Sequence, residues 1–198
     1  MAPLSCGITR RWTVIPKDKY TSALTTKTAT VEIWGSNLTL EDVTVDVVLK
    51  AWDVITGRET YSQTLKTAFL LPQNQSTEVE GLALPVHSDD EEGRTVVAVY
   101  FWQGGRQIAR YVNWPEPLKH VHLQTPKDLR VEVSQDGNMV EIAAGVPVKG
   151  VALECDADEV SFSDNLVDVV PGEVMSIVVK GANKESRIKA RYLGMGII

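Results

Sequence analysis

Hydrophobic residues in this chain recur at every second position, and no segment carries the 3.6-residue spacing of a helix that buries one face. The clearest run is Val43, Val45, Val47, Leu49 and Ala51 on one side of an extended segment, with Thr44, Asp46 and Lys50 among those on the other. A strand patterned this way buries one face and wets the other. The same period predicts further strands near 7–15, 28–35, 58–70, 76–84, 95–103 and 106–113. Turn-forming clusters such as Thr56-Gly57-Arg58 and the acidic loop from His87 to Gly93 separate them. That many short strands suit one sandwich of two antiparallel sheets.

Past residue 125 the pattern resumes, with short strands predicted at 129–134, 138–144, 148–155, 159–162, 166–170, 174–180 and 186–193. Pro171-Gly172 marks a turn there, and Ile188, Ala190 and Tyr192 alternate with Lys189 and Arg191. Two turns have a mechanism. Gly104-Gly105 joins 96–103 to 106–112, and Asp136-Gly137 joins 129–135 to 138–143. Both read as two-residue hairpin loops, because Gly and Asp tolerate the positive φ such loops require. Between the two sets of strands lies Asn113-Trp114-Pro115-Glu116-Pro117, whose prolines cannot donate to a sheet ladder. The expected fold is therefore all-β: two tandem immunoglobulin-like antiparallel sandwiches, residues 1–119 and 120–198. At 198 residues and 43% hydrophobic content there is material for both cores. The second module is near the lower size limit for a sandwich and is expected to lean on the first or on a further partner.

The net charge of −6, from 26 acidic and 20 basic residues with no basic stripe, removes the electrostatic term on which nucleic-acid binding depends. No nucleic-acid partner is expected. Nor is a membrane partner, since no apolar run is long enough to cross a bilayer, and Met1-Ala2-Pro3-Leu4 lacks the charged and apolar regions of a signal peptide. A soluble chain without an address is expected, and its compartment is left open. Cys6 and Cys155, both in strand-like stretches, are expected as free buried thiols.

Candidate sites are few. His120-x-His122 puts two imidazoles on one strand face, but the remaining histidine, His87, falls in a different loop, so no zinc site is expected. Asp89-Asp90-Glu91-Glu92 lacks the spaced pattern and glycine of a calcium loop and reads as solvated. No cofactor is implied. Of the aromatic set Tyr100, Phe101, Trp102, Tyr111 and Trp114, core packing is the default role, and Trp102 and Trp114 are the candidates for sugar contact. Asn37-Leu38-Thr39 and Asn74-Gln75-Ser76 match the glycosylation acceptor pattern, which makes Asn37 and Asn74 candidate glycosylation sites. No nucleophile elbow and no phosphate-cradling glycine loop occurs, so no catalytic residue is assigned.

Three stretches carry a resemblance. They are Ile33-Trp34-Gly35-Ser36-Asn37-Leu38-Thr39-Leu40-Glu41-Asp42, the run from Ala109 to Lys119 through Arg110-Tyr111-Val112-Asn113-Trp114-Pro115-Glu116-Pro117-Leu118, and Phe162-Ser163-Asp164-Asn165-Leu166-Val167-Asp168-Val169-Val170-Pro171-Gly172-Glu173. Together they resemble the C-terminal region of β-mannosidases of glycoside hydrolase family 2, especially fungal ones. Leu4-Ser5-Cys6-Gly7-Ile8 resembles the point where the chain leaves that family's catalytic barrel. The family's general acid lies in an Asn-Glu dipeptide, which is absent here. A complete (β/α)₈ barrel would need about 250 residues alternating strand with helix. The resemblance therefore implies an accessory, non-catalytic part of an exo-acting β-mannosidase. Its partners would be the missing (β/α)₈ barrel and a manno-oligosaccharide. The alternative is a free-standing carbohydrate-binding or protein-interaction sandwich.

Overall fold

The computed structural model describes residues 4–13, 28–85, 94–114, 118, 121, 123–157, 159–182 and 186–195. His87, the acidic loop 87–93, Pro115 to Pro117, His120 and His122 lie outside the described residues. Fourteen strands run through the rest: β1 (Leu4–Thr13), β2 (Thr28–Asn37), β3 (Val43–Asp53), β4 (Glu59–Leu71), β5 (Gln75–Pro85), β6 (Thr95–Gln103), β7 (Arg106–Asn113), β8 (Arg130–Val133), β9 (Met139–Ala143), β10 (Val148–Cys155), β11 (Ser161–Phe162), β12 (Val167–Val169), β13 (Met175–Lys180) and β14 (Ile188–Arg191). Every expected strand has a counterpart, and no α-helix occurs among the described residues. The chain is all-β, as the alternation requires.

The strands form two compact units. The first comprises Met1–Ala51 and Thr60–Val121, and the second Trp52–Glu59 and His122–Ile198. In the first unit a three-stranded sheet, β1-β2-β5, faces a four-stranded sheet, β4-β3-β6-β7. In β3, Val45, Val47, Leu49 and Ala51 are buried and join Ile8, Val31, Ile33, Val79 and Leu84 of the other sheet in one core. Each valine, leucine or isoleucine of this set withdrawn from water contributes about 1.5–3 kcal/mol, and the alternation fixes the register, because a one-residue slip would turn the row outward. Strand β6 departs from the half-buried pattern. Val97, Val99 and Phe101 enter the core, yet Val96, Ala98 and Tyr100 on the opposite side are buried too, in keeping with an unbroken apolar run rather than alternation.

The second unit repeats the scheme with sheets β11-β13-β9-β8 and β12-β10-β14. Its core is Val140, Ile142, Val151, Leu153, Val167, Val169, Ile177 and Val179, with Leu129, Phe162 and Ile188 packed at its margins.

The two glycine turns came out differently. Gln103 pairs with Arg106, and Gly104 and Gly105 both take positive φ, 57° and 79°, as a two-residue loop demands. The turn at Asp136-Gly137 is longer than expected. Ser134 N–H donates to the Met139 carbonyl at 2.9 Å and Gly137 N–H to the Ser134 carbonyl at 2.9 Å, so four residues, 135–138, span the loop. Only Gly137, at φ 74°, takes positive φ. Asp136 acts through its side chain instead: Asp136 Oδ1 accepts from the Ser134 hydroxyl at 2.6 Å and from Asn138 N–H at 3.2 Å. These bonds hold its carboxyl below the usual aspartate range, the Ser134 hydroxyl contributing most.

Candidate functional site

The two sequons have opposite fates. Asn37, at the end of β2, has no exposed surface. Asn37 Nδ2 donates to the carbonyls of Glu41 at 2.8 Å and Leu71 at 2.9 Å, while Oδ1 accepts from Thr39 N–H at 3.0 Å and from the Thr39 hydroxyl at 2.7 Å. Every donor and acceptor of the amide is engaged, so the nitrogen that would carry a glycan instead ties the 38–41 turn to β4. At this first candidate glycosylation residue, Thr39 takes part in an Asx turn with the Asn37 side chain. Asn74 is exposed at φ 53° in the connection from β4 to β5, where its N–H donates to the Thr39 carbonyl at 3.1 Å.

The aromatic candidates are separated by burial. Trp114 is 4% exposed and offers a sugar no flat face. Trp102 is half-buried, opposite Gln107 at a register shift between Phe101 and Trp102. Tyr100 and Phe101 are buried, and Tyr111 is exposed. Cys6 is buried, whereas Cys155 is only partly so; both are free.

An aromatic ring in a different place has the geometry that sugar contact needs. Trp34 of β2 stands opposite Gly7 of β1 and Glu78 of β5 on the outer face of the three-stranded sheet. Its indole lies so close over Gly7 that a Cβ on residue 7 would stand 2.2 Å from Cζ2. Gly7 thus lets the ring lie flat on the sheet, and Trp34 keeps 38% of its surface exposed. A cleft of about 660 Å³ opens beside it, lined by Glu32, Ile33, Trp34, Glu78, Val79, Glu80 and Gly81. The cleft lies at a bulge: Ile33 pairs with Glu80 and Trp34 with Glu78, which leaves Val79 as the extra residue of β5. At Gly81 the surface is open, with nothing within 4 Å of where a Cβ would be. Glu80 is ion-paired with Lys66 of β4. Sequence reasoning passed over Trp34 because it sits alone in its strand; the signal was the Gly7–Trp34 pair, visible once β1 and β2 are aligned antiparallel.

The second unit's most distinctive segment builds turns rather than a pocket. Asn165 bonds both backbone groups of Leu153. Asp168 Oδ1 accepts from Gly150 N–H at 2.8 Å, and its Oδ2 lies 3.4 Å from Lys149 Nζ, which together pin the irregularity between Val148 and Val151. Gly172, at φ 82°, closes the turn that Pro171 begins. Asp164 is exposed. Among the described residues no group of His, Cys, Asp and Glu is arranged to hold a metal ion.

Family comparisons match these two sandwiches to two domain models. Residues 29–120 match a "Mannosidase Ig/CBM-like domain" and residues 123–192 an "Ig-fold domain" of mannosidases. "Beta-mannosidase B" of Thermothelomyces thermophilus is 57% identical over 198 residues, which is 98% of this chain and 23% of that protein. The chain belongs to the β-mannosidase immunoglobulin-like domains. "Beta-mannosidase B" of Aspergillus niger is 29% identical over 97% of this chain and 22% of its own length. The chain thus spans less than a quarter of the curated relatives it matches. Among solved structures, the β-D-mannosidase of Dictyoglomus thermophilum superimposes with a TM-score of 0.63 over 92% of this chain and 22% of its own, at 15% identity. The exo-chitosanase CsxA of Amycolatopsis orientalis does so with a TM-score of 0.56 over 83% of this chain and 24% of its own, at 14% identity. At such identities both show the shared fold alone.

Proposed function

We propose that these sandwiches, residues 1–119 and 120–198, serve as the accessory, non-catalytic C-terminal region of an exo-acting β-mannosidase that removes terminal β-linked mannose. Their covalent partner is that enzyme's (β/α)₈ barrel. The observation that carries the reading is the 57% identity running through nearly the whole chain to a β-mannosidase more than four times as long. The structure supports it from the other side. The segments that resemble the family, around Asn37 and Asn165, are occupied in backbone hydrogen bonds that hold turns and strand edges, which is the chemistry of a scaffold.

The test is reconstitution. The remaining part of such a β-mannosidase, expressed without these domains, is expected to be less stable and less active than the whole enzyme, and adding this chain in trans should restore part of both. Full activity and unchanged melting temperature without these domains would overturn the reading. A manno-oligosaccharide is the second partner proposed, and Trp34 rather than Trp114 is the ring that favours it.

A further inference from the structure

Trp34, Glu32 and Glu78 share one face of the sheet, with Gly7 beneath the indole and Gly81 leaving the cleft open beside it. A tryptophan over a strand glycine has an ordinary use, which is to shield the bare backbone. That use needs only one face of the ring. The other face is presented outward at 38% exposure, held flat by the glycine below, and carboxylates stand along its own strand at Glu32 and across the ladder at Glu78.

We infer that this cleft is a binding site for a β-linked manno-oligosaccharide. The reading that these are β-mannosidase accessory domains supplies the sugar class; the site itself rests on the geometry. A β-linked mannopyranose carries three axial C–H groups, at C1, C3 and C5, on one face, and its axial 2-hydroxyl points away on the other. The C–H face suits the electron-rich face of an indole, which attracts weakly positive hydrogens through its quadrupole. The equatorial hydroxyls then lie at the ring margin, where a carboxylate accepts their hydrogens in strong charge-assisted bonds. Glu78, exposed beside the indole, is placed for that role, and the open surface at Gly81 admits a neighbouring sugar unit. An indole already flat on the sheet loses little freedom on binding.

The test titrates the full chain with β-1,4-linked mannotetraose while following the tryptophan indole N–H resonances by NMR. Trp34→Tyr serves to assign the Trp34 signal. The expected result is a saturable shift of the Trp34 resonance at millimolar sugar. Affinity is read in every variant from the backbone amide shifts of Gly7 and Gly81, which remain when Trp34 is replaced; it should fall by about tenfold or more in Trp34→Ala, less in Trp34→Tyr, which keeps a flat ring, and also in Glu78→Gln. Trp102→Ala should bind as the parent chain does. Should Trp34→Ala fail to fold, Trp34→Tyr and Glu78→Gln carry the comparison. No saturable shift of Trp34, or a shift that follows Trp102 instead, overturns the site. The accessory-domain reading is untouched by that failure, since reconstitution with the rest of the enzyme measures it separately.

Discussion

Asn165 bonds Leu153 through both ends of its amide: Leu153 N–H donates to Oδ1 at 2.7 Å, and Nδ2 donates to the Leu153 carbonyl at 3.0 Å. The side chain stands in for a strand residue beside β10, just where β12 has not yet begun its pairing at Val167 and Val151. Leu153 is 3% exposed, so water is poorly placed to replace those bonds. Asn165→Ala should destabilise the second unit by about 1–3 kcal/mol, the cost of leaving buried backbone groups unsatisfied. Asn165→Asp keeps the acceptor but sets an anion against the Leu153 carbonyl, and should be at least as harmful. Denaturant unfolding checks both, and an unchanged midpoint in Asn165→Ala would contradict the role.

Asn37 gives a parallel case in the first unit. It is fully buried with all its polar atoms engaged, so Asn37→Ala should cost more than a surface substitution, about 1–3 kcal/mol for the buried Leu71 carbonyl it leaves unpaired. Asn74→Gly removes an exposed side chain without straining the positive φ of 53° and should shift stability far less. Comparable losses in the two variants would count against the assignment of Asn37 to the core.

Glycines separate backbone strain from steric clash. At Gly57, φ is 71° and a Cβ would stand 1.8 Å from the Gly145 carbonyl oxygen. At Gly105, φ is 79° and nothing lies within 4 Å. Gly105→Ala should therefore cost only the positive-φ penalty of about 1–2 kcal/mol, and Gly57→Ala distinctly more. Gly137→Val, at φ 74°, should cost about 1–3 kcal/mol, with the same substitution at Asn138 milder. Equal melting temperatures for Gly57→Ala and Gly105→Ala would refute the close approach at residue 57.

Burial pushes the Cys6 thiol up from 9.0 to about 12, with the nearby Arg110 charge pulling the other way. Because the folded value is raised, the neutral thiol's contribution to stability is whole below the unfolded value. It is lost as pH climbs from about 9 toward 12. In the folded chain at mildly alkaline pH, a thiol reagent should modify Cys155, which is partly exposed, and reach Cys6 only after denaturation. Rapid modification of Cys6 in the native chain would contradict its placement.

The strands were legible because the alternation of Val43 to Ala51 and its counterparts is a direct image of one-sided burial, and period two admits no other regular structure. What escaped was decided by contacts between strands. A three-residue acceptor pattern at Asn37 says nothing of the Leu71 carbonyl that the amide reaches from far along the chain. The Asp136 loop is two residues longer than its dipeptide suggests, because the aspartate side chain, not its backbone, organises the turn. Trp34 was obscured by the denser aromatic cluster at 100–114, and only the facing Gly7 reveals that its ring lies flat.

Hydrolysis of a chromogenic β-mannoside by the purified chain tests the accessory role most directly. A retaining glycosidase holds an acid and a nucleophile about 5–5.5 Å apart on rigid elements, and the Asn-Glu dipeptide that carries the resembled family's acid is absent from this sequence. The chain should leave the substrate at its uncatalysed rate, as should Asp164→Asn and Glu116→Gln variants. Reproducible turnover by the parent chain, abolished by one such replacement, would place a catalytic carboxylate on the sandwiches and contradict the accessory role.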